Sequence, residues 1–216
     1  VENLLKREDL HVNHRNYKGE TALMRTASRG GYFKEHAQVV HRLLEDPRLN
    51  LYETDFQGKT ALMHAAVGGS LEIVRAIWEK LSPPHRDVNA RDHLSQTLLM
   101  HAAHSLNIAV MKWLLLQHAD VNAVSLQKTA LLFAIEGKYS LDLDPAAKYV
   151  SIDDRLTEAC ERCEEAVRLL LEHKAEVHSV REGTISPLEY AQNALQIMVE
   201  ATQGHRFYSR IVELLT

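Results

Sequence analysis

"GKTALMHAAVGGSLEIVRAIW", residues 58–78, reads as one amphipathic helix, a double glycine and a second helix. Isolated helices shorter than roughly 12–15 residues are marginal in water. A chain that spends this stretch on two short helices must therefore stack something on both sides of the pair. Within the stretch, Leu71, Ile73, Val74 and Ile77 form an apolar stripe of helical period. Ala65 and Ala66 are small enough to let helices approach closely.

The stretch recurs. "KGETALMRTASRGG" starts at Lys18, "QGKTALMHAAVGGS" at Gln57, "LSQTLLMHAAHSLN" at Leu94 and "LQKTALLFAIEGKY" at Leu126. A weaker copy, "TISPLEYAQNA", starts at Thr184. The anchors are Thr21, Thr60, Thr97, Thr129 and Ser186, spaced by 39, 37, 32 and 57 residues. Each stands where a helix should start, and its hydroxyl can accept from an orphan N–H of the first turn. A second helix follows each anchor, in "VVHRLLED", "EIVRAIWEK", "AVMKWLLLQ", "EEAVRLLLEH" and "SRIVELLT". Turn segments such as "DVNARDHLSQT" (87–97) and "DVNAVSLQKT" (120–129) lead into the next anchor.

These motifs resemble the ankyrin repeat, a unit of about 33 residues made of a β-turn and two helices. The resemblance covers nearly the whole chain and implies an all-α solenoid of helix–loop–helix pairs joined by β-hairpin turns. The expected repeats are 14–50, 53–89, 90–122, 123–178 and 181–216, in one domain over 1–216. The start at Val1, inside the end of a second helix, suggests a fragment of a longer protein.

Departures from the family pattern are informative. Where the family has His in "TPLHLAA", this chain has Met24, Met63, Met100, Leu132 and Glu189, so flexible Met packing is expected in place of a polar network. The glycine expected after the second helix is His118 in one repeat and Lys174 in another. The turn from Asn122 to Thr129 is one residue shorter than that from Asn89 to Thr97, so its tip should differ. Extra material of 5, 24 and 12 residues separates the two helices in repeats one, four and five. The longest insertion occupies 139–162, and "SIDDRLTEACERCEEAVRLLLEHK" reads as a lengthened second helix capped by Ser151 or Asp153.

Composition narrows the function classes. The net charge is −4 and the sequence pI about 6.4, which argues against a nucleic-acid binder. No run of apolar residues is long enough for a membrane-spanning helix. Two cysteines, both in "CERC", make no disulfide framework and suit a reducing, intracellular setting, the cytoplasm. Charge is uneven: residues 139–165 carry eight acidic and three basic side chains, residues 1–48 seven acidic and nine basic.

Chemical sites are weakly supported. His101 and His104 share a helix face and His64 takes the same repeat position as His101, but zinc needs three or four converging ligands. A single CxxC, Cys160 and Cys163, points to ordinary surface or partly buried cysteines. No phosphate-binding glycine loop or nucleophile elbow occurs, so no cofactor, no metal and no enzyme activity are expected.

The resemblance implies a scaffold, expected to be a monomer, that binds a protein partner through hairpin tips and the exposed face of the first helices. The first-helix positions are Arg25 and Arg29, His64 and Val67, His101 and His104, Phe133 and Glu136, with Tyr190 continuing the row, and the tips are Arg15, Tyr17 and Lys18, then Phe56 and Gln57, His93 and Leu94, and Leu126 and Gln127. An alternative is a regulatory or targeting segment of a larger enzyme. The irregular repeats are also similar to those of host-directed bacterial effectors.

Overall fold

Thr21 and Thr60 start helices as their side chains demand. The Thr21 and Thr60 hydroxyls accept from the N–H of Met24 (3.4 Å) and Met63 (3.3 Å). Met24 answers in kind, its thioether accepting from the Thr21 N–H at 3.4 Å, a capping box with sulfur in place of a carboxylate. Met24, Met63 and Met100 are each 1% exposed, so the methionines are core. The copy that looks weakest in sequence has the most regular cap: the Ser186 N–H donates to Glu189 at 2.8 Å and the Ser186 hydroxyl accepts from the Glu189 N–H at 3.1 Å. Hydrogen bonding to its carboxyl from the Ser186 backbone N–H, and then from the Ser186 side chain, holds Glu189 below its ordinary value.

The computed structural model describes residues 7, 9–30, 34–137, 152–178, 185–197 and 203–216. Among them the regular structure is helical, with isolated β-bridges at the hairpins (Thr54 with Thr60, Arg91 with Thr97, Ser125 with Lys128) and no strand. The chain divides into two compact units, Val1–Leu98 and Leu99–Thr216.

In the first unit, α1 (Ala22–Ala27) pairs with α2 (Lys34–Leu44), and α3 (Ala61–Gly68) pairs with α4 (Leu71–Lys80). First helix packs on first helix and second on second. Leu23, Val40, Leu62, Ile73, Val74 and Ile77 fill the space between them, each 5% exposed or less. Gly69 ends α3 in the left-handed conformation (φ 76°), and Ser70 caps α4 through the Ile73 N–H. A Cβ on Gly68 would land inside van der Waals contact of the Ala27 carbonyl oxygen on α1. This position thus sets how closely α3 can approach α1.

The second unit holds all of α5 (Leu98–His104) but its first residue, then α6 (Ile108–Leu116), α7 (Ala130–Gly137), α8 (Ile152–Glu172), α9 (Pro187–Ile197) and α10 (Gln203–Leu215). Its core includes Met111, Leu114, Leu131, Ile135, Val167, Leu170, Tyr208 and Ile211. α8, at 21 residues, is the lengthened second helix expected from its sequence; the cap proposed at Ser151 lies outside the described residues, as do 138–150 of the insertion. Arg162 of α8 donates to the Leu106 carbonyl at 3.1 Å, and Lys112 pairs with Glu165 at 2.9 Å. Cys163 is not a surface thiol: it is fully buried and donates to the Ala134 carbonyl at 3.2 Å, while Cys160 is half-buried.

His118 (φ 63°) and Lys174 (φ 66°) keep the left-handed conformation that glycine would take after a second helix. Their successors close the helix ends, Ala119 N–H to Leu114 and Ala175 N–H to Leu170, both at 3.0 Å.

The close approach at Gly68 is testable. Gly68→Ala must push α1 and α3 apart, an overpacking that costs about 1–3 kcal/mol. Urea denaturation should show a lowered midpoint although alanine is the better helix former. An unchanged or raised midpoint would contradict the packing described.

Candidate functional site

The hairpins that precede the first helices are built around one side chain each. Asn16 Oδ1 accepts from the N–H of Lys18 (2.9 Å) and Glu20 (3.0 Å). Asp55 Oδ1 accepts from Gln57 (2.8 Å) and Lys59 (2.9 Å), and Asp92 Oδ1 from Leu94 (2.9 Å) and Gln96 (2.8 Å). The turn side chain replaces backbone partners that the tip lacks. Successive tips of the first unit are then tied by backbone bonds, Phe56 N–H to Lys18 at 3.1 Å and His93 N–H to Gln57 at 2.9 Å.

Aromatic side chains lie across these tips. The Phe56 ring rests over Gly19 and the His93 ring over Gly58, where a Cβ would collide with the imidazole. Arg15 sits over Phe56, its guanidinium carbon 5.2 Å from the ring centroid, while donating to the Gly19 carbonyl at 3.0 Å and the Thr54 carbonyl at 2.6 Å. Lys18 lies 5.8 Å from the Tyr17 ring centroid. Tyr17 is 85% exposed, Phe56 66% and Leu94 44%. Gln57, Lys18, Arg15 and His93 are exposed beside them.

On the first helices the expected row divides. Arg25 and Val67 are exposed on their helices, Arg29 is exposed but lies past the end of α1 rather than on it, and Arg25 lies 3.6 Å from Glu20. His64 turns inward: its Nε2 is 2.9 Å from Asp55 Oδ2. An ionised carboxylate only accepts, so Nε2 carries the proton and donates. Burial pushes the His64 pKa down against the opposing pull of Asp55, and burial wins. Burial pushes Asp55 up, but the Lys59 and Gln57 N–H groups and His64 together hold its carboxyl below the ordinary value.

In the second unit His104 is exposed, whereas His101 (6% exposed) and Phe133 (9%) are buried, which corrects the expectation that they lie on an open face. Lys128 covers Phe133, its Nζ 5.8 Å from the ring centroid and bonded to Glu136 at 2.8 Å, and His104 meets the same ring edge-on at 6.0 Å. The shortened tip does differ. Ser125 and Lys128 exchange two backbone bonds (2.9 and 2.7 Å), and Leu126 (φ 44°) and Gln127 (φ 68°) both have positive φ. A two-residue turn of this kind prefers Asn-Gly. Here it carries a leucine that is 67% exposed.

Among the described residues no group of three or more His, Cys, Asp or Glu could hold a metal ion, and no helix is long and apolar enough to cross a membrane.

The comparisons agree with this geometry. Residues 1–92 match the family description "Ankyrin repeats (3 copies)" and residues 94–123 match "Ankyrin repeat". A crystal structure of an ankyrin repeat domain from Acinetobacter baumannii AYE superposes with a TM-score of 0.64 at 22% identity, covering 99% of this chain and 88% of that one. The chain belongs to the ankyrin repeat family. Ankyrin repeats are generally non-catalytic modules for protein–protein interaction.

Two outcomes follow from the hairpins. Unfolded His64 titrates near the ordinary value of about 6.5, and its folded pKa is lower. The unfolded state therefore binds more protons below about 6.5, and the stability from burying neutral His64 is present above that pH and lost as pH falls through it. Urea midpoints at pH 7.5 and 5.5 should differ more for the parent chain than for His64→Gln; an equal or steeper fall in the variant would contradict the burial. Replacing Leu126 by Asn and Gln127 by Gly relieves two left-handed penalties of about 1–2 kcal/mol each, less the extra unfolded-state entropy of glycine. A net gain of about 1 kcal/mol is expected by denaturation, and a loss would refute the strain.

Proposed function

We propose that this chain is a monomeric docking module that binds a protein partner through its hairpin tips and the exposed side chains of its first helices, with no catalysis of its own. One observation carries the reading: large apolar side chains stand in water on tips whose backbones are pinned from beneath. Tyr17, Phe56 and Leu94 are exposed above the Asn16, Asp55 and Asp92 turns. Rigid, exposed aromatics lose little entropy on binding and make good anchors. Leu126 supports the same reading, since an exposed leucine in a left-handed turn costs stability that folding alone does not require. The two thiols fit a reducing compartment, and we place the protein in the cytoplasm.

The test uses a partner captured from cell lysate. Tyr17→Ala with Phe56→Ala should weaken its binding by about 2 kcal/mol or more, roughly thirtyfold. Stability should move by about 0.5 kcal/mol or less, because both side chains are surface features. Unchanged affinity in this variant, with binding lost on deletion of residues 140–158, would move the site to the insertion.

A further inference from the structure

Charge in the first unit is sorted by depth around the first hairpin and its helix. Most carboxylates here point inward and are occupied, while Glu53, its side chain 30% exposed, lies 3.8 Å from Arg15. Asp55 and Asp92 are each 6% exposed and serve backbone N–H groups. The Glu20 side chain is 11% exposed, accepts from Asn16 Nδ2 at 2.8 Å and lies 3.6 Å from Arg25. The cations stay outside: Arg15, Lys18, Arg25 and Arg29 are all exposed. Whole-chain charge is −4, so this basic corner is a local feature and not a property of the surface at large.

Arg25 also lines a cleft of about 290 Å³. Leu10, Val12, Ala22 and Leu43 line it, and its charged and ionisable lining is His11, His14, Arg25 and the Glu20 carboxylate that Arg25 faces. The volume is ample for one large aliphatic or aromatic side chain, and apolar walls with a few polar groups at the edge are how binding sites are usually lined.

Resting on the docking reading above, we propose that this corner takes an acidic peptide segment of the partner, with one apolar side chain in the cleft and the carboxylates flanking it on Arg25, Arg29 and Lys18. Arginine favours carboxylate through paired, charge-assisted hydrogen bonds. The partly buried Glu20 beside Arg25 orients the guanidinium without neutralising the whole patch. Single-stranded nucleic acid also seeks cations and stacking rings. It needs a basic track along several phosphates, and four cations on one hairpin, one short helix and the turn after it make only a short patch.

The test measures fluorescence anisotropy with the full chain and three labelled probes. These are a twelve-residue peptide of four Glu-Glu-Leu units, its Glu-Glu-Ser counterpart and a twelve-nucleotide oligothymidine. The Leu peptide should bind at least tenfold more tightly than the Ser peptide and the oligothymidine, and should weaken as salt is raised. Arg25→Glu should reduce that binding at least tenfold and Arg25→Lys by less, with far-UV circular dichroism confirming the fold of both. Equal binding of the two peptides, preference for oligothymidine, or indifference to Arg25→Glu would each overturn the proposal. The captured partner separates the two readings. Binding lost in the Tyr17→Ala, Phe56→Ala variant but kept in Arg25→Glu defeats the acidic-segment inference and leaves the docking module standing. Binding kept in both variants defeats both readings.

Discussion

The Asp55 carboxylate holds more of the first unit in place than its size suggests. One oxygen takes the N–H groups of Gln57 and Lys59, the other takes His64 of α3. Losing a buried acceptor leaves its donors unsatisfied, at about 1–3 kcal/mol each. Those three bonds fix the tip and tie it to the helix that follows. They also withdraw a negative charge from the surface, which leaves Arg15 and Lys18 to set the character of what is exposed. Asn16 does the same work for the first hairpin without a charge, and Asp92 does it for the third.

The helix pairs were legible because their signals are local. A Thr followed by an alanine-rich apolar run is a cap and a face at Thr21 and Thr60, whereas the buried Thr129 hydroxyl starts its helix without a partner among the described residues. The left-handed residues at His118 and Lys174, the altered tip at Leu126 and the long helix reaching Glu172 were readable for the same reason. Contacts distant in sequence were not. Nothing near Arg162 announces that it will reach the Leu106 carbonyl, and "CERC" does not say which sulfur faces Ala134. Glu164 is a further instance: 6% exposed, it meets Arg210 at 3.0 Å across to α10.

The candidate surface was half legible. Tip residues are outward by geometry, since a tight turn has no room inside, and Tyr17, Phe56, His93, Leu94 and Leu126 are exposed as expected. The first-helix positions divide, with the residue four after the anchor lying beside its own hairpin. There the side chain decides the outcome. Arg25 is long enough to stay in water beside Glu20, His64 folds back onto Asp55, and Phe133 disappears under Lys128. Seven after the anchor, Val67 and His104 are exposed, whereas Glu136 is half-buried against Lys128.

If the tips are stiff because buried side chains hold their amides, amide hydrogen exchange of the free protein tests the claim most directly. The N–H groups of Lys18, Glu20, Gln57, Lys59, Leu94 and Gln96 should exchange far more slowly than unstructured amides, although they sit in turns beside exposed side chains. Exchange at the rate of an open loop at these positions would contradict the account, for the apolar side chains would then ride on mobile turns.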